Sequence, residues 1–212
     1  MPNLSPVTIV DYGMGNIRSI EAALKHLGYE SRVSEDRMVI SKSEILVLPG
    51  VGSFPAAMKA IRAREIDAGI HDAIASGKSK IIGICLGMQL LTESSSEDGG
   101  SAGLSIVGGA VERFSPHVAA SLPVPHTGFN SVTAPKGSVL FDGLAPETDF
   151  YFVHSFRMSP GQSNALLATA TYGEKFVAGF ELGNVFGTQF HPEKSQSSGL
   201  RLLANFLRSE LR

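Results

Sequence analysis

The sequence predicts an α/β fold with a mostly parallel sheet, on two observations from the first half of the chain. Short β-rich apolar runs occur at residues 7–10, 44–48 and 80–84. Apolar residues at helical spacing follow the first two runs, at residues 17–27 and 56–75. Strands that alternate with helices form a parallel sheet with helices on both faces.

The second half of the chain has a different pattern. After residue 103, short β-like runs are separated by glycine, proline and serine, which predicts mixed or antiparallel sheet. These runs lie at residues 110–114, 150–153, 165–171, 177–181 and 185–189. An amphipathic helix is predicted at residues 198–211, and the serine-rich residues 94–101 predict an exposed loop.

Composition restricts the class of protein. A chain of 212 residues fits one domain spanning 1–212, and 43% hydrophobic residues are enough for a sizeable core. The formal net charge of −2 argues against nucleic acid or an anionic membrane as a partner. One cysteine excludes an intramolecular disulfide, and no apolar run approaches the roughly 20 residues of a membrane span. We therefore expect a soluble, cytoplasmic protein without a signal peptide.

The only cysteine, Cys85, lies in residues 83–87, which read Gly-Ile-Cys-Leu-Gly. An apolar run precedes it and an amphipathic run follows it, which predicts a strand, a sharp turn and a helix. A helix N-terminus carries partial positive charge, which favours thiolate over thiol. The glycines on either side allow the unusual backbone angles of a sharp turn. A lone cysteine is most often a small buried apolar residue, but this frame favours a catalytic nucleophile.

A nucleophilic cysteine needs a base, and the candidate lies near the end of the chain. His191 follows an apolar strand, and Glu193 lies two residues later in His-Pro-Glu. In open α/β sheets, residues beyond the carboxyl ends of different strands meet at one edge. We therefore expect Cys85 and His191 to lie together, with Glu193 holding the imidazole in the correct tautomer. Taken alone, His-x-Glu is weak evidence, because both residues could be ordinary polar groups.

Attack on a carbonyl carbon creates an oxyanion that needs hydrogen-bond donors. The amide N–H of Leu86, at the start of the helix after Cys85, is one candidate. Residues 49–52, Pro-Gly-Val-Gly, are the other, because glycine lets a backbone N–H turn towards the oxygen. The alternative is a plain turn that ends the strand, for which Pro-Gly is common.

Together these motifs resemble the class I, or triad, glutamine amidotransferases, over about residues 7 to 206. The resemblance implies the flavodoxin-like α/β fold of that family, with an additional mixed or antiparallel sheet in the C-terminal half. It also implies hydrolysis of glutamine by a Cys-His-Glu triad, in which the cysteine attacks the side-chain amide and the histidine protonates the leaving nitrogen. Residues implied to bind the oxyanion or glutamine are Gly50, Val51, Gly52, Leu86, Gln89 and His154. The alternatives are a solvent-facing position for Gln89 and a structural role for His154.

Within this family, the closest resemblance is to the branch that serves imidazole glycerol phosphate synthase, at residues 11–19, 151–156 and 192–200. That branch implies a heterodimer with a (β/α)8-barrel cyclase subunit, which receives ammonia through a passage shielded from water. The products are imidazole glycerol phosphate and an aminoimidazole carboxamide ribotide, in histidine biosynthesis. Residues implied to face the cyclase are Asn16, Arg18, Phe129, Lys194 and Ser195.

One departure from the family keeps an alternative open. Phe129 stands where the family usually has tryptophan, in Pro-His-Thr-Gly-Phe-Asn at residues 125–130. A related group of glutaminases supplies ammonia to a sugar-modifying amidotransferase in surface polysaccharide synthesis. Two further alternatives are a non-catalytic regulatory module on the same fold and a cysteine peptidase of related topology. We expect no cofactor and no metal, because no cluster of metal-binding residues and no complete dinucleotide fingerprint occurs.

Overall fold

The computed structural model of the chain describes residues 5–161 and 164–211. Seven α-helices lie in these ranges: α1 (Ile17–His26), α2 (Arg37–Ser41), α3 (Phe54–Ala63), α4 (Ile66–Ala75), α5 (Leu86–Leu90), α6 (Pro116–Ser121) and α7 (Gln196–Arg208). The thirteen strands are β1 (Val7–Val10), β2 (Ser31–Ser34), β3 (Ile45–Leu48), β4 (Lys80–Ile84), β5 (Ser94–Ser95), β6 (Ser101–Ala102), β7 (Gly109–Arg113), β8 (His126–Thr133), β9 (Glu147–His154), β10 (Phe156–Pro160), β11 (Leu166–Tyr172), β12 (Glu174–Leu182) and β13 (Val185–Thr188).

Five strands form the parallel part of the sheet, in the order β2-β1-β3-β4-β13. The register pairs Leu48 with Gly83 and Ile84 with Thr188, so β3, β4 and β13 end level with one another. All residues of β1, β3, β4 and β13 are buried. The three segments that follow β3, β4 and β13 therefore meet at the carboxyl edge of the sheet, as the sequence predicts.

The antiparallel part continues from the parallel part through β12, which pairs with β13. From β12 the sheet extends through β10 and β7 to the short strands β5 and β6, where β5 is parallel to β7 and antiparallel to β6. A second path from β12 leads through β11 and β8 to β9. The predicted fold class is confirmed, and the antiparallel strands of the C-terminal half are hydrogen-bonded to the parallel strands in one continuous sheet.

The core lies on both faces of the parallel strands. On one face, alternate strand residues such as Ile9 and Val47 pack with Leu24 of α1 and Phe206 of α7. On the other face, residues such as Leu46 and Leu48 pack with the apolar sides of α3, α4 and α5. Burial of apolar surface on both faces stabilises the strands and fixes their register, because a slip of one residue would exchange the two faces.

Several predicted elements are confirmed and one is wrong. The predicted helix at residues 56–75 divides into α3 and α4 at Arg64, because Glu65 adopts a left-handed conformation with φ of 55°. Residues 94–101 were predicted as an exposed loop, but they contain β5, the first residue of β6 and a 3₁₀ turn, and Ser95 is buried. The reason is the pairing of β5 with β7, a contact that the local sequence does not reveal.

In the described ranges, no helix has the length and apolar character needed to cross a membrane. The cytoplasmic location expected from the sequence stays a prediction.

Candidate active site

Cys85 lies at a sharp turn between β4 and α5. Its backbone has φ of 54° and ψ of −111°, a conformation that residues with a side chain rarely adopt. Its N–H donates to Thr188 O at 2.7 Å, which joins the turn to the end of β13. The side chain is nearly buried but lines a cavity. Strained backbone of this kind occurs at functional sites, where the surrounding structure holds it in place.

The glycines beside Cys85 provide space, and the prediction that they adopt the unusual angles is wrong. The positive φ belongs to Cys85 itself, and neither Gly83 nor Gly87 has one. A Cβ at Gly87 would collide with Leu48 O, and a Cβ at Gly83 would lie 2.6 Å from the carbonyl oxygen of Gly87. Close packing of the turn against β3 and α5 therefore requires glycine at both positions.

His191 and Glu193 lie just beyond β13. His191 Nδ1 is 2.8 Å from Glu193 Oε1, and both side chains are almost completely buried. A 3₁₀ turn at Pro192–Lys194 brings the carboxylate back to the imidazole, and His191 N–H donates to Tyr151 O at 2.9 Å. Within the part of the chain that the structure describes, His191 Nε2 is buried without a hydrogen-bond partner. That atom is therefore available to exchange a proton with the sulfur or with a bound substrate.

Electrostatics favour a charged His191. Burial lowers its pKa, but the nearby Cys85 sulfur and the Glu193 carboxylate outweigh burial and raise the pKa to about 9. An imidazolium next to a thiolate is the ion pair expected of an activated cysteine nucleophile. Burial, with Cys85 and Asp11, raises the pKa of Tyr12 well above its usual range, so this phenol stays protonated.

Residues 49–52 follow β3 and pass beside the cysteine turn. The Tyr12 hydroxyl donates to Pro49 O at 2.6 Å and so fixes the peptide group that also carries the Gly50 N–H. A Cβ at Gly50 would lie 2.5 Å from that hydroxyl and 2.7 Å from Gly87 N. Gly52 has φ of 106°, which favours glycine. The segment thus lies where its N–H groups can face an oxyanion at Cys85.

A cavity of about 370 Å³ opens beside Cys85. Its walls combine the two predicted oxyanion elements with the turn between β9 and β10. The lining residues are Val51, Gly52, Cys85, Leu86, Gln89, Glu97, Pro125, Val153, His154, Ser155 and Phe156. This brings together the predicted residues Val51, Gly52, Cys85, Leu86, Gln89 and His154, and the volume suits a small polar substrate.

Gln89 and His154 both lie inside the protein. Gln89 is 5% exposed, so the alternative of a solvent-facing glutamine is wrong. Gln89 Nε2 donates to Phe156 O at 2.9 Å, and His154 Nδ1 lies 2.8 Å from the same oxygen. Burial, together with the nearby histidines His126 and His191, lowers the pKa of His154 to about 3 despite the hydrogen bond to Phe156 O. His154 is therefore neutral, and it shapes the turn that lines the cavity.

Glu97 is a candidate that sequence reasoning missed. Its Oε2 accepts from Phe54 N at 2.9 Å, and the residue lines the same cavity as Cys85. A carboxylate at this place complements the positive α-ammonium group of an amino acid. The residue lies in the serine-rich stretch, where no periodic pattern or motif distinguishes it.

The residues expected to face a partner are mostly at the surface. Arg18 and Lys194 are exposed, Asn16 is half-buried, and Phe129 is 52% exposed. The Phe129 ring contacts the Tyr151 ring edge-to-face, and Lys194 Nζ lies 5.8 Å from the centre of the Tyr151 ring. An exposed aromatic residue beside a cation is typical of a protein interface.

Ser195 is an exception to this expectation. Its side chain is buried, with 1% exposure. The hydroxyl donates to His191 O at 2.6 Å and accepts from Tyr151 N at 2.9 Å. The hydroxyl therefore fixes the turn that carries His191, and the expectation that this position faces a partner stays a prediction.

Comparison with known proteins identifies the family. The family model of glutamine amidotransferase class-I matches residues 8–209. The chain belongs to this family. Class I glutamine amidotransferase structures share its fold: one described as a crystal structure of glutamine amidotransferase matches with a TM-score of 0.74 and 21% identity, over 95% of this chain and 97% of that one. The structure of PurLQS from Thermotoga maritima matches with a TM-score of 0.71 and 21% identity, over 96% and 98%.

Among curated class I amidotransferases, several relatives named imidazole glycerol phosphate synthase subunit HisH are similar along nearly the whole chain. The relative from Moorella thermoacetica is 42% identical over 203 residues, which cover 96% of this chain and 94% of the relative. The relative from Rhodopirellula baltica is 44% identical over 94% of this chain and 96% of its own length. The relative from Aquifex aeolicus is 44% identical, over 94% and 95%.

Proposed function

We propose that this chain is the glutaminase subunit of imidazole glycerol phosphate synthase, and that it hydrolyses glutamine with Cys85, His191 and Glu193. The observation that carries the proposal is the strained cysteine turn beside a buried imidazole, which a carboxylate holds at 2.8 Å. Similarity to HisH subunits along nearly the whole chain supports the assignment to this synthase.

The first half of the reaction forms a thioester. The Cys85 thiolate attacks the side-chain amide carbon of glutamine, and the carbonyl oxygen becomes an oxyanion. Protonated His191 then gives its Nε2 proton to the leaving nitrogen, because ammonia cannot depart as an amide anion. Glu193 accepts from His191 Nδ1 and holds the ring in the orientation that directs Nε2 to the reaction.

The second half releases glutamate. Neutral His191 takes a proton from water, and the resulting hydroxide attacks the thioester carbonyl. The C–S bond breaks, and the Cys85 thiolate leaves with the electron pair while the imidazolium is restored. Backbone N–H groups of Leu86 and of residues 49–52 are the proposed donors to the oxyanion in both halves, each contributing about 3–4 kcal/mol.

Substrate recognition follows from the cavity walls. Glu97, which lines the same cavity as Cys85, is proposed to bind the α-ammonium group of glutamine. The turn of Ser155 and Phe156, held by His154 and Gln89, forms the wall beside it.

The partner is proposed to be the cyclase subunit of the same synthase, which consumes the ammonia. Phe129, Lys194, Arg18 and Asn16 form the proposed contact surface, which we call the cyclase-facing surface. Helix α1, which carries Asn16 and Arg18 at its start, packs against the Pro192–Lys194 turn, so this surface lies close to the base. Binding there can influence the site, because the loop before α1 also holds Tyr12 against Pro49.

A glutaminase assay tests this function. The purified subunit is measured alone, with the cyclase and its ribulose-derived ligand, and with a sugar-modifying amidotransferase. We expect slow hydrolysis of glutamine by the subunit alone and a rate about a thousandfold higher with the liganded cyclase, which corresponds to about 4 kcal/mol. Stimulation by the sugar-modifying enzyme, with none by the cyclase, would assign the chain to surface polysaccharide synthesis.

A further inference from the structure

Gln189 lies between the end of β13 and His191, and the reaction described above gives it no role. Its side chain is completely buried. Its Nε2 donates to Cys85 Sγ at 3.7 Å, which is within hydrogen-bond distance for sulfur. A buried amide directed at the reacting atom is a strong candidate for a part in the chemistry.

The orientation of this amide is determined by its neighbours. Phe156 O can only accept hydrogen bonds, so the Gln89 side chain must direct its nitrogen at it. The same Gln89 nitrogen lies 2.9 Å from Gln189 Oε1 and donates to it. Because the oxygen of Gln189 is thus used as an acceptor, its nitrogen is the atom that faces the sulfur.

The backbone carbonyl of Phe156 is itself held in place. His154 Nδ1 donates to it, so His154 Nε2 must accept, and its partner is His126 Nδ1 at 3.0 Å. All these side chains are at most 6% exposed, so bulk water has little access to the bonds. A continuous chain of hydrogen bonds therefore runs from the two buried histidines through Gln89 to Gln189 and the sulfur.

We propose that Gln189 is a further catalytic residue, whose side-chain N–H donates to the Cys85 sulfur and stabilises the thiolate. This inference rests on the proposed role of Cys85 as nucleophile. The hydrogen bond raises the fraction of Cys85 that is present as thiolate before attack, and it stabilises the thiolate that leaves when the thioester breaks. The donor acts on the reacting sulfur, and we therefore expect its loss to lower kcat with little change in KM.

The other groups around the sulfur leave this role open. Val153 O lies 3.8 Å from Sγ and, as an acceptor, favours the thiol. The Tyr12 hydroxyl is engaged with Pro49 O. His191, oriented by Glu193, supplies the positive charge of the ion pair, but its Nε2 proton goes to the leaving nitrogen during the reaction. Gln189 can remain bonded to the sulfur through every step.

Alkylation of the single cysteine by iodoacetamide tests this inference directly, since the reaction reports the thiolate and needs no glutamine. The rate is measured against pH for the wild-type chain and for Gln189→Met, which keeps the length of the side chain but has no donor. We expect the midpoint of the pH profile to rise by about one unit, as for the loss of a hydrogen bond to a charged group. We expect kcat for glutamine to fall about tenfold with an unchanged KM, because about 1.4 kcal/mol is a factor of ten.

Two further variants keep the outcome clear. Asn205 lies on α7, and its side-chain amide donates to Leu140 O and Asp142 O. Asn205→Leu removes this amide, and the alkylation profile of the variant should match that of wild type. Gln189→Leu replaces Gln189→Met if the latter does not fold, as judged by circular dichroism. An unchanged alkylation midpoint in a folded Gln189 variant overturns the role of Gln189. Failure of the proposed function is a separate result, namely glutamine hydrolysis that survives in Cys85→Ala.

Discussion

The parallel and antiparallel parts of the sheet contribute different groups to the candidate active site. The parallel strands β3, β4 and β13 end at one edge and supply the oxyanion segment, the cysteine and the base. The antiparallel strands supply the wall of the cavity at the turn of Ser155 and Phe156, the buried histidine pair and the exposed Phe129. The proposed reactive groups thus follow the ends of buried strands, and the proposed recognition surfaces lie on strands that have one buried and one exposed face.

The largest expected effect lies in the parallel part. We expect His191→Ala to lower the rate of glutamine hydrolysis by several orders of magnitude, because a triad base is required for both proton transfers. Glu193→Ala should lower this rate by a smaller factor, since the carboxylate orients the imidazole ring and stabilises its charge. Steady-state kinetics measure both. A His191→Ala rate near that of wild type would show that His191 is not the catalytic base.

Gly50→Ala tests the oxyanion segment of the parallel part. The added Cβ would lie 2.5 Å from the Tyr12 hydroxyl and 2.7 Å from Gly87 N, so the segment must shift. We expect a loss of about 10²–10³ in kcat, the usual effect of removing one oxyanion donor. Gly28→Ala is the matched control, because Gly28 has φ of 81° but open space around it. It should lower the melting temperature and leave kcat as in wild type; equal kcat losses in both variants would exclude a local effect.

Phe129→Ala tests the surface of the antiparallel part. Phe129 is 52% exposed and lies in the cyclase-facing surface, so its removal should weaken binding of the cyclase about tenfold. Met38→Ala is the matched control, because Met38 is 58% exposed on α2, outside that surface. Titration calorimetry with the cyclase measures both affinities. If the two variants bind equally well, Phe129 is not part of the interface.

The pH dependence of the free energy of unfolding distinguishes the antiparallel part, which carries His126 and His154, from the parallel part, which is followed by His191. Burial lowers the pKa of His126 to about 4 and, with the neighbouring histidines, that of His154 to about 3, from a usual value of 6.5. Below pH 6.5 the unfolded chain gains protons at these residues that the folded chain does not, so acidification destabilises the protein. His191, whose pKa rises to about 9, stabilises fully below pH 6.5, and this contribution is lost as the pH rises through 9.

Urea unfolding at a series of pH values measures how the free energy of unfolding changes with pH on the acid and alkaline sides. The double variant His126→Phe with His154→Phe should flatten the acid side and leave the alkaline side unchanged. His191→Ala should flatten the alkaline side and leave the acid side unchanged. An acid slope that persists in the double variant would show that other groups cause it.

The same division explains what the sequence could predict. Buried parallel strands are continuous apolar runs, and β1 lies at residues 7–10 as predicted, with Cys85 and His191 beyond their strands. Edge strand β2 is short and polar, so it gave no signal. Ser95 and Ser195 are buried through contacts with distant segments, β7 and the Tyr151 backbone, which local patterns do not contain. Glu97 and Gln189 acquire their positions only from the assembled fold.

Cys85 is proposed to generate ammonia for a synthase site on another protein. The most direct test is the activity of the complex of Cys85→Ala with the cyclase, measured once with glutamine and once with added ammonium salt. We predict that glutamine supports no product formation in this complex, while ammonium supports formation at the wild-type rate, because the cyclase site is intact. Turnover of glutamine by the Cys85→Ala complex would contradict the claim.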